Sequence, residues 1–129
     1  MQRKVTYADV ASTVALGLAL ARYVRFPGLA SGMPLWAVVV NTGPHTAEAR
    51  YASKPGVTVD NYAEGFYKVD FGSGVPDLTK CAVFGDVPSG GRIANAFTAT
   101  GEPSVVYVET FHTVQHEQQD ADFHVMAIG

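Results

Sequence analysis

The chain has 129 residues, of which 47% are hydrophobic and 16% charged, with a formal net charge of −3. Those values describe one ordered globular domain, able to bury roughly two thirds of its unfolded surface, and exclude a disordered chain. The acidic balance excludes a nucleic-acid binder, which needs clustered Lys and Arg to displace counterions.

The first element is apolar and flanked by positive charge. Arg3, Lys4, Arg22 and Arg25 bracket it, opposed by Asp9 alone. Thr6 and Asp9 have the spacing of a capping box, with Asp where Glu or Gln is usual. Residues 10–21 then run apolar nearly all round. Twelve residues at 1.5 Å each make about 18 Å of helix, short of the roughly 30 Å hydrocarbon core, so a standard transmembrane span is excluded. The basic start, the apolar run and Ala19-Leu-Ala21 also match a secretory signal with its cleavage site. We favour a retained helix over a removed signal, because an apolar helix kept in a folded protein must bury its surface. Val10, Val14 and Leu18 line one stripe, while Leu16 and Leu20 lie on other sides. That is too much apolar circumference for one small domain to cover, and it predicts contacts with neighbouring subunits or lipid. Pro27, Gly28, Gly32 and Pro34 end the helix and form a hinge. Two regions result: an anchor-like or assembly helix with its hinge over 1–34, and a β-domain over 35–129.

From Leu35 onward the spacing predicts eight short strands, near 35–41, 46–51, 57–60, 65–71, 79–85, 93–99, 103–110 and 122–128. The clearest is 65–71, where Phe66, Lys68 and Asp70 alternate with the wholly apolar Tyr67, Val69 and Phe71. Turn signals separate the strands: Asn41-Thr-Gly-Pro44, Lys54-Pro-Gly56, Gly72-Ser-Gly74, Pro88-Ser-Gly-Gly91 and Gly101-Glu-Pro103. Short strands with Gly/Pro turns predict a mainly β fold, a β-sandwich or jelly-roll-like domain after the one helix. The expected interior is Trp36, Val38, Tyr67, Val69, Phe71, Val106, Val108, Phe123 and Val125, with Trp36 as a core anchor.

Chemistry is sparse. Cys81 is the sole cysteine, sits among apolar neighbours and reads as a reduced, buried and silent side chain. His112, His116, Asp120, Asp122 and His124 concentrate possible ligands, and His112 and His116 have the spacing that zinc sites use on a helix. This stretch lies between two strands, so a polar loop is expected and no metal is assigned. Asp60, Glu64 and Asp70 are the carboxylates that could pair for glycoside chemistry. Pro88-Ser-Gly-Gly-Arg92 is Gly-rich, but no helix follows to complete a phosphate cradle. There is no nucleophile elbow, no cofactor motif and no glycosylation acceptor at Asn41, Asn61 or Asn95. From Ile93 onward, acids occur without any Lys or Arg, too dilute for an acidic tail.

Several stretches together carry a resemblance. They are Tyr7-Ala-Asp-Val-Ala-Ser-Thr-Val-Ala-Leu-Gly-Leu-Ala-Leu-Ala21, Leu35-Trp-Ala-Val-Val39, Gly65-Phe-Tyr-Lys-Val-Asp-Phe71, Val75, Lys80-Cys81, Val105-Val-Tyr-Val-Glu-Thr110 and Asp122-Phe-His-Val125. They resemble uncharacterised actinobacterial secreted or surface proteins with an N-terminal signal-anchor and a C-terminal β-domain, over most of 5–21 and 35–129. Similar domains are appended to collagen-like and fibre-like chains, so the resemblance implies a non-enzymatic, often homo-oligomeric module at the cell surface. It also implies a cysteine at the end of the last strand as partner for Cys81. Here that place is Gly129, and the linker shrinks to residues 22–34. Both departures suit a packed assembly such as a phage virion. The expected partners are copies of the chain or neighbouring subunits, with lipid or cell-surface glycan as further possibilities. The alternative function is a glycan- or receptor-binding module of a secreted or virion protein, marked by exposed aromatics on loops, for which Tyr51, Tyr62 and Phe111 are the candidates.

Overall fold

The computed structural model describes residues 34–129. The expected helix with Val10, Val14, Leu16, Leu18 and Leu20, and nearly all of the hinge, lie outside the described residues.

Eight strands follow in order: β1 (Leu35–Gly43), β2 (Thr46–Ala52), β3 (Thr58–Ala63), β4 (Phe66–Asp70), β5 (Ala82–Asp86), β6 (Arg92–Phe97), β7 (Val105–His112) and β8 (Phe123–Ile128). Each expected strand is present, with shifted ends. A three-residue shift precedes β5. Leu78–Lys80 forms a single 3-10 turn there, because the Asp77 carboxylate accepts from the Thr79 amide at 3.1 Å and its hydroxyl at 2.6 Å. A side chain that bonds its own backbone in this way holds a turn where a strand would begin.

The strands form two four-stranded antiparallel sheets. Sheet A has the order β2-β1-β8-β5 and sheet B the order β3-β4-β7-β6. The chain passes between sheets at β2–β3, β4–β5, β5–β6 and β7–β8, so the two sheets are stitched together from both edges. Between them lies one core. It contains Ala37 and Val39 of β1, Tyr67 and Val69 of β4, Val106 and Val108 of β7, and Phe123, Val125 and Ala127 of β8, closed by Phe71 and Leu78. Alternation explains it: every second residue of these strands faces the other sheet.

Two expected interior residues face the other way. Ala37 and Val39 point into the core, so Trp36 and Val38 of the same strand point out of the sandwich. Trp36 is half-buried and is no core anchor. Val38 is buried, but on the outward side. The physical reason is that residues 35–40 are apolar without a break, and a run with no alternation carries no record of facing.

Candidate functional site

The polar residues that the sequence singles out are engaged in the scaffold. Asp120 Oδ1 accepts from the Gly65 amide at 2.7 Å and from Asn61 Nδ2 at 3.2 Å. Asp122 Oδ1 accepts from the amide and the side chain of Asn41, at 2.8 and 3.2 Å. Between them, the Tyr67 hydroxyl donates to Asn41 Oδ1 at 2.8 Å and accepts from the Ala121 amide at 3.2 Å. Burial, followed by the charge of Asp120, raises the Tyr67 pKa far above its ordinary value. This buried network ties the β7–β8 connection to β1 and to the β3–β4 hairpin.

His112 ends β7, and its Nδ1 accepts from the amides of Val114 and Gln115 at 3.2 Å each. His116 has a φ of 56°, a left-handed turn conformation incompatible with a continuing helix. The pair therefore caps a turn. His124 lies in β8, on the outward side of sheet A. Asp70 Oδ1 accepts from the Gly72 amide and the Ser104 hydroxyl, at 2.8 and 2.9 Å, whereas Asp60 and Glu64 are exposed on β3 and its turn. The Gly-rich 88–92 loop runs directly into β6. Among the described residues no three His, Cys, Asp or Glu are grouped to hold a metal ion.

Cys81 is free and half-buried against the core rather than fully buried. Burial, then the nearby Asp77, pushes its thiol pKa up, which disfavours the reactive thiolate. A Cβ placed on Gly129 would meet Cys81 Sγ at 2.7 Å and its Cβ at 2.8 Å.

What the structure does bring together is a row of rings on the outward face of sheet B. β3 supplies Tyr62, β4 Phe66, β7 Tyr107 and β6 Phe97. Tyr62 lies 5.9 Å from Phe66 and meets Tyr107 edge-on at 6.3 Å, and Phe97 stacks on Tyr107 at 5.6 Å. Alternation sends Tyr62 outward, because Asn61 before it faces inward opposite Tyr67. Asn61 Nδ2 donates to the Ala63 and Phe66 carbonyls at 2.9 and 3.1 Å, where β3 carries a bulge between Asn61 and Ala63. Tyr62 is 50% exposed, and Ile93 of β6, at 49%, extends the row opposite Phe111.

Charges are interleaved with the rings. The Tyr107 hydroxyl donates to both oxygens of Glu102 at 2.8 and 2.9 Å, and Lys68 Nζ lies 3.4 Å from Glu102. The hydrogen bond to Glu102 raises the Tyr107 pKa first; burial and Glu102's charge add to it. Burial, then Glu109 and Asp60, raises that of Tyr62. Both phenols stay protonated, and that of Tyr107 donates to Glu102. The face thus offers apolar ring surface, phenol hydroxyls and carboxylate acceptors within one sheet.

Tyr51, Tyr62 and Phe111 sit in β2, β3 and β7 rather than on loops. Tyr51 belongs to sheet A, away from the others. Phe66, Phe97 and Tyr107 carry most of the row and were missed as site residues. Phe66 was legible, since it shares the outward set with Lys68 and Asp70. Comparison with family models, curated proteins and solved structures finds no match.

Proposed function

We propose that the chain is a non-enzymatic structural module of a cell-surface or particle assembly, homo-oligomeric, with the outward face of sheet B as a contact surface. The aromatic row of Tyr62, Phe66, Phe97 and Tyr107, in which Tyr62 and Phe97 are exposed and Phe66 and Tyr107 half-buried, carries this reading. An outward sheet face that meets only water is ordinarily polar, whereas contiguous exposed aromatic surface marks an interaction site. Tyr and Phe are also the residues that protein contacts favour. The two facing four-stranded sheets support the sandwich arrangement, and the resemblance to surface proteins whose β-domains are also appended to fibre-like chains agrees with it. The setting is extracellular or at the cell surface, with a virion as the alternative.

Light scattering tests this. The wild-type chain should run as a multimer, and Tyr62→Lys with Phe97→Lys should lower its mass while the β signal in circular dichroism persists. A monomeric wild type overturns the reading.

A second reading has its own observation, the carboxylates and Asn95 that flank the rings. Ring faces with adjacent acceptors suit a glycan, whose hydroxyls donate and whose C–H faces pack on aromatics. Glycan binding that the same double variant abolishes, at unchanged mass, selects the binding module.

A further inference from the structure

The two sheets have four edge strands, β2 and β5 on sheet A and β3 and β6 on sheet B. An edge presents unpaired amides and carbonyls, and folded chains blunt such edges with bulges, charges, glycines or short strands. Three of the four are blunted. β2 meets β1 through register shifts and carries the Glu48–Arg50 ion pair. β3 is bulged between Asn61 and Ala63 and carries Asp60. β5 has five residues, holds Gly85 and ends in Asp86. β6 lacks these devices. Its six residues pair with β7 without a register shift, from Arg92 opposite His112 to Phe97 opposite Tyr107, and Arg92 at its start is its one charge. Among the described residues, Ile93 to Phe97 make no backbone hydrogen bond beyond that ladder. Ile93, Asn95 and Phe97 are all exposed.

We propose that β6 pairs antiparallel with β6 of a second copy, joining two copies of sheet B into one continuous sheet with four strands from each. The pairing rests on the chain being homo-oligomeric, as proposed above, and names the strand through which copies join. The register follows from the side chains. Residues directly opposite in an antiparallel pair point to the same face, so the twofold axis must pass through a residue and not between two. Centred on Asn95, the pairing sets Ile93 against the second copy's Phe97 and Ala94 against its Ala96, and the two Asn95 amides meet. An axis on Ala94 or Ala96 would instead set Asn95 against Ile93 or Phe97. A β-branched side chain beside an aromatic ring is a favourable cross-strand pair, and symmetry makes it twice. On the inward side the opposed residues are alanines, small enough for the strands to reach ladder distance. Charge agrees, because β6 carries no acid and its arginine lies off the axis. Arg92 Nε is buried without a hydrogen-bond partner among the described residues, and this register brings it opposite the second copy's Thr98, whose hydroxyl can accept. The row of rings that ends at Phe97 then runs on into Ile93 and Phe111 of the second copy.

Light scattering over a dilution series of the full chain reads the association. Asn95→Lys stands beside Glu109 within its own sheet, so the fold tolerates it, but it sets two lysines against each other across the axis. It should move the association midpoint at least roughly tenfold to higher concentration, with the β signal in circular dichroism unchanged. An equimolar mixture of Asn95→Lys and Asn95→Glu should restore the multimer, since the opposed charges then differ in sign. Asn95→Cys in a Cys81→Ser background should cross-link into a dimer on oxidation with diamide, because opposed Cα atoms lie about 4.5–5.5 Å apart, within disulfide reach. Tyr62→Cys in the same background should not. A multimer whose mass ignores Asn95→Lys, a mixture no heavier than its components, or an Asn95→Cys chain that cross-links no better than Tyr62→Cys overturns the pairing and leaves the assembly reading standing. A wild type that is monomeric at every concentration overturns both. Should Asn95→Lys fail to fold, the cysteine variants decide alone.

Discussion

The two outward faces of the sandwich are built from the same kind of strand and differ in what surrounds their apolar residues. On sheet B, the rings of Tyr62, Phe66, Phe97 and Tyr107 stand among Lys68, Glu102, Glu109 and Asn95, and Tyr62 and Phe97 are exposed. On sheet A, Val38, Met126 and Ile128 are buried, with His124 beside them, while charge is confined to the rim. The first is a surface that tolerates water and can be approached; the second cannot remain in water without cost. The difference teaches that a sheet face is read from its mixture of residues, because apolar content alone does not separate a contact site from a buried one.

The sharpest way to break this contrast is to put a charge on the buried face. Val38→Asp should destabilise the chain by about 2–4 kcal/mol, because it buries a carboxylate directly opposite His124 in an otherwise apolar setting. Urea unfolding measures it. A loss as small as that of a sheet B surface variant would show that the two faces are equivalent.

Between the faces, Tyr67 anchors the polar network, and Tyr107 is its counterpart outside. Tyr67→Phe leaves Asn41 Oδ1 and the Ala121 amide without their partner and should cost about 1–3 kcal/mol. The sign of the pH dependence follows from the raised pKa of the folded state. Below the ordinary tyrosine value of 10.0 the contribution of Tyr67 is complete, and above it the unfolded chain ionises first, so stability falls as pH rises. Alkaline unfolding followed by circular dichroism should show this fall, and it should be shallower in Tyr67→Phe.

At the end of β8, Gly129 abuts Cys81 on sheet A. Gly129→Ala forces a Cβ to within 2.7 Å of the sulfur, and the strand end must yield, a loss of about 1 kcal/mol. A thermal melt detects it, and an unchanged midpoint would show that the strand end moves freely.

The smallest effect is expected on sheet B. Lys68→Ala removes the contact to Glu102 at 3.4 Å, which is partly exposed, and should change stability by less than about 1 kcal/mol. A larger loss in the same urea assay would mean that this face is packed against something.

Sequence periodicity determined the strands and much of the core. Tyr67, Val69 and Phe71 alternate with residues of another character, and such alternation specifies facing because one side is wet and the other dry. All eight strands were legible, as were five of the turns between them; Gly65, read as the start of the fourth strand, instead turns β3 into β4. β1 was not legible in the same way, since it is apolar on both sides, and alternation vanishes where both faces of a strand are buried. Only the sandwich itself could decide that Ala37 and Val39 look inward and Trp36 and Val38 outward. The candidate site belongs to the same class of information. Tyr62, Phe66, Phe97 and Tyr107 lie on four strands spread over 46 residues of chain, counted from 62 to 107, and they become neighbours only through the pairing of β3, β4, β7 and β6. Asp120 and Asp122 read as loop acids until Gly65 and Asn41 arrive beside them from 55 and 81 residues away. Local sequence determines which face each residue of a strand takes, but which strands share that face is settled by long-range pairing, and that is a property of the folded chain alone.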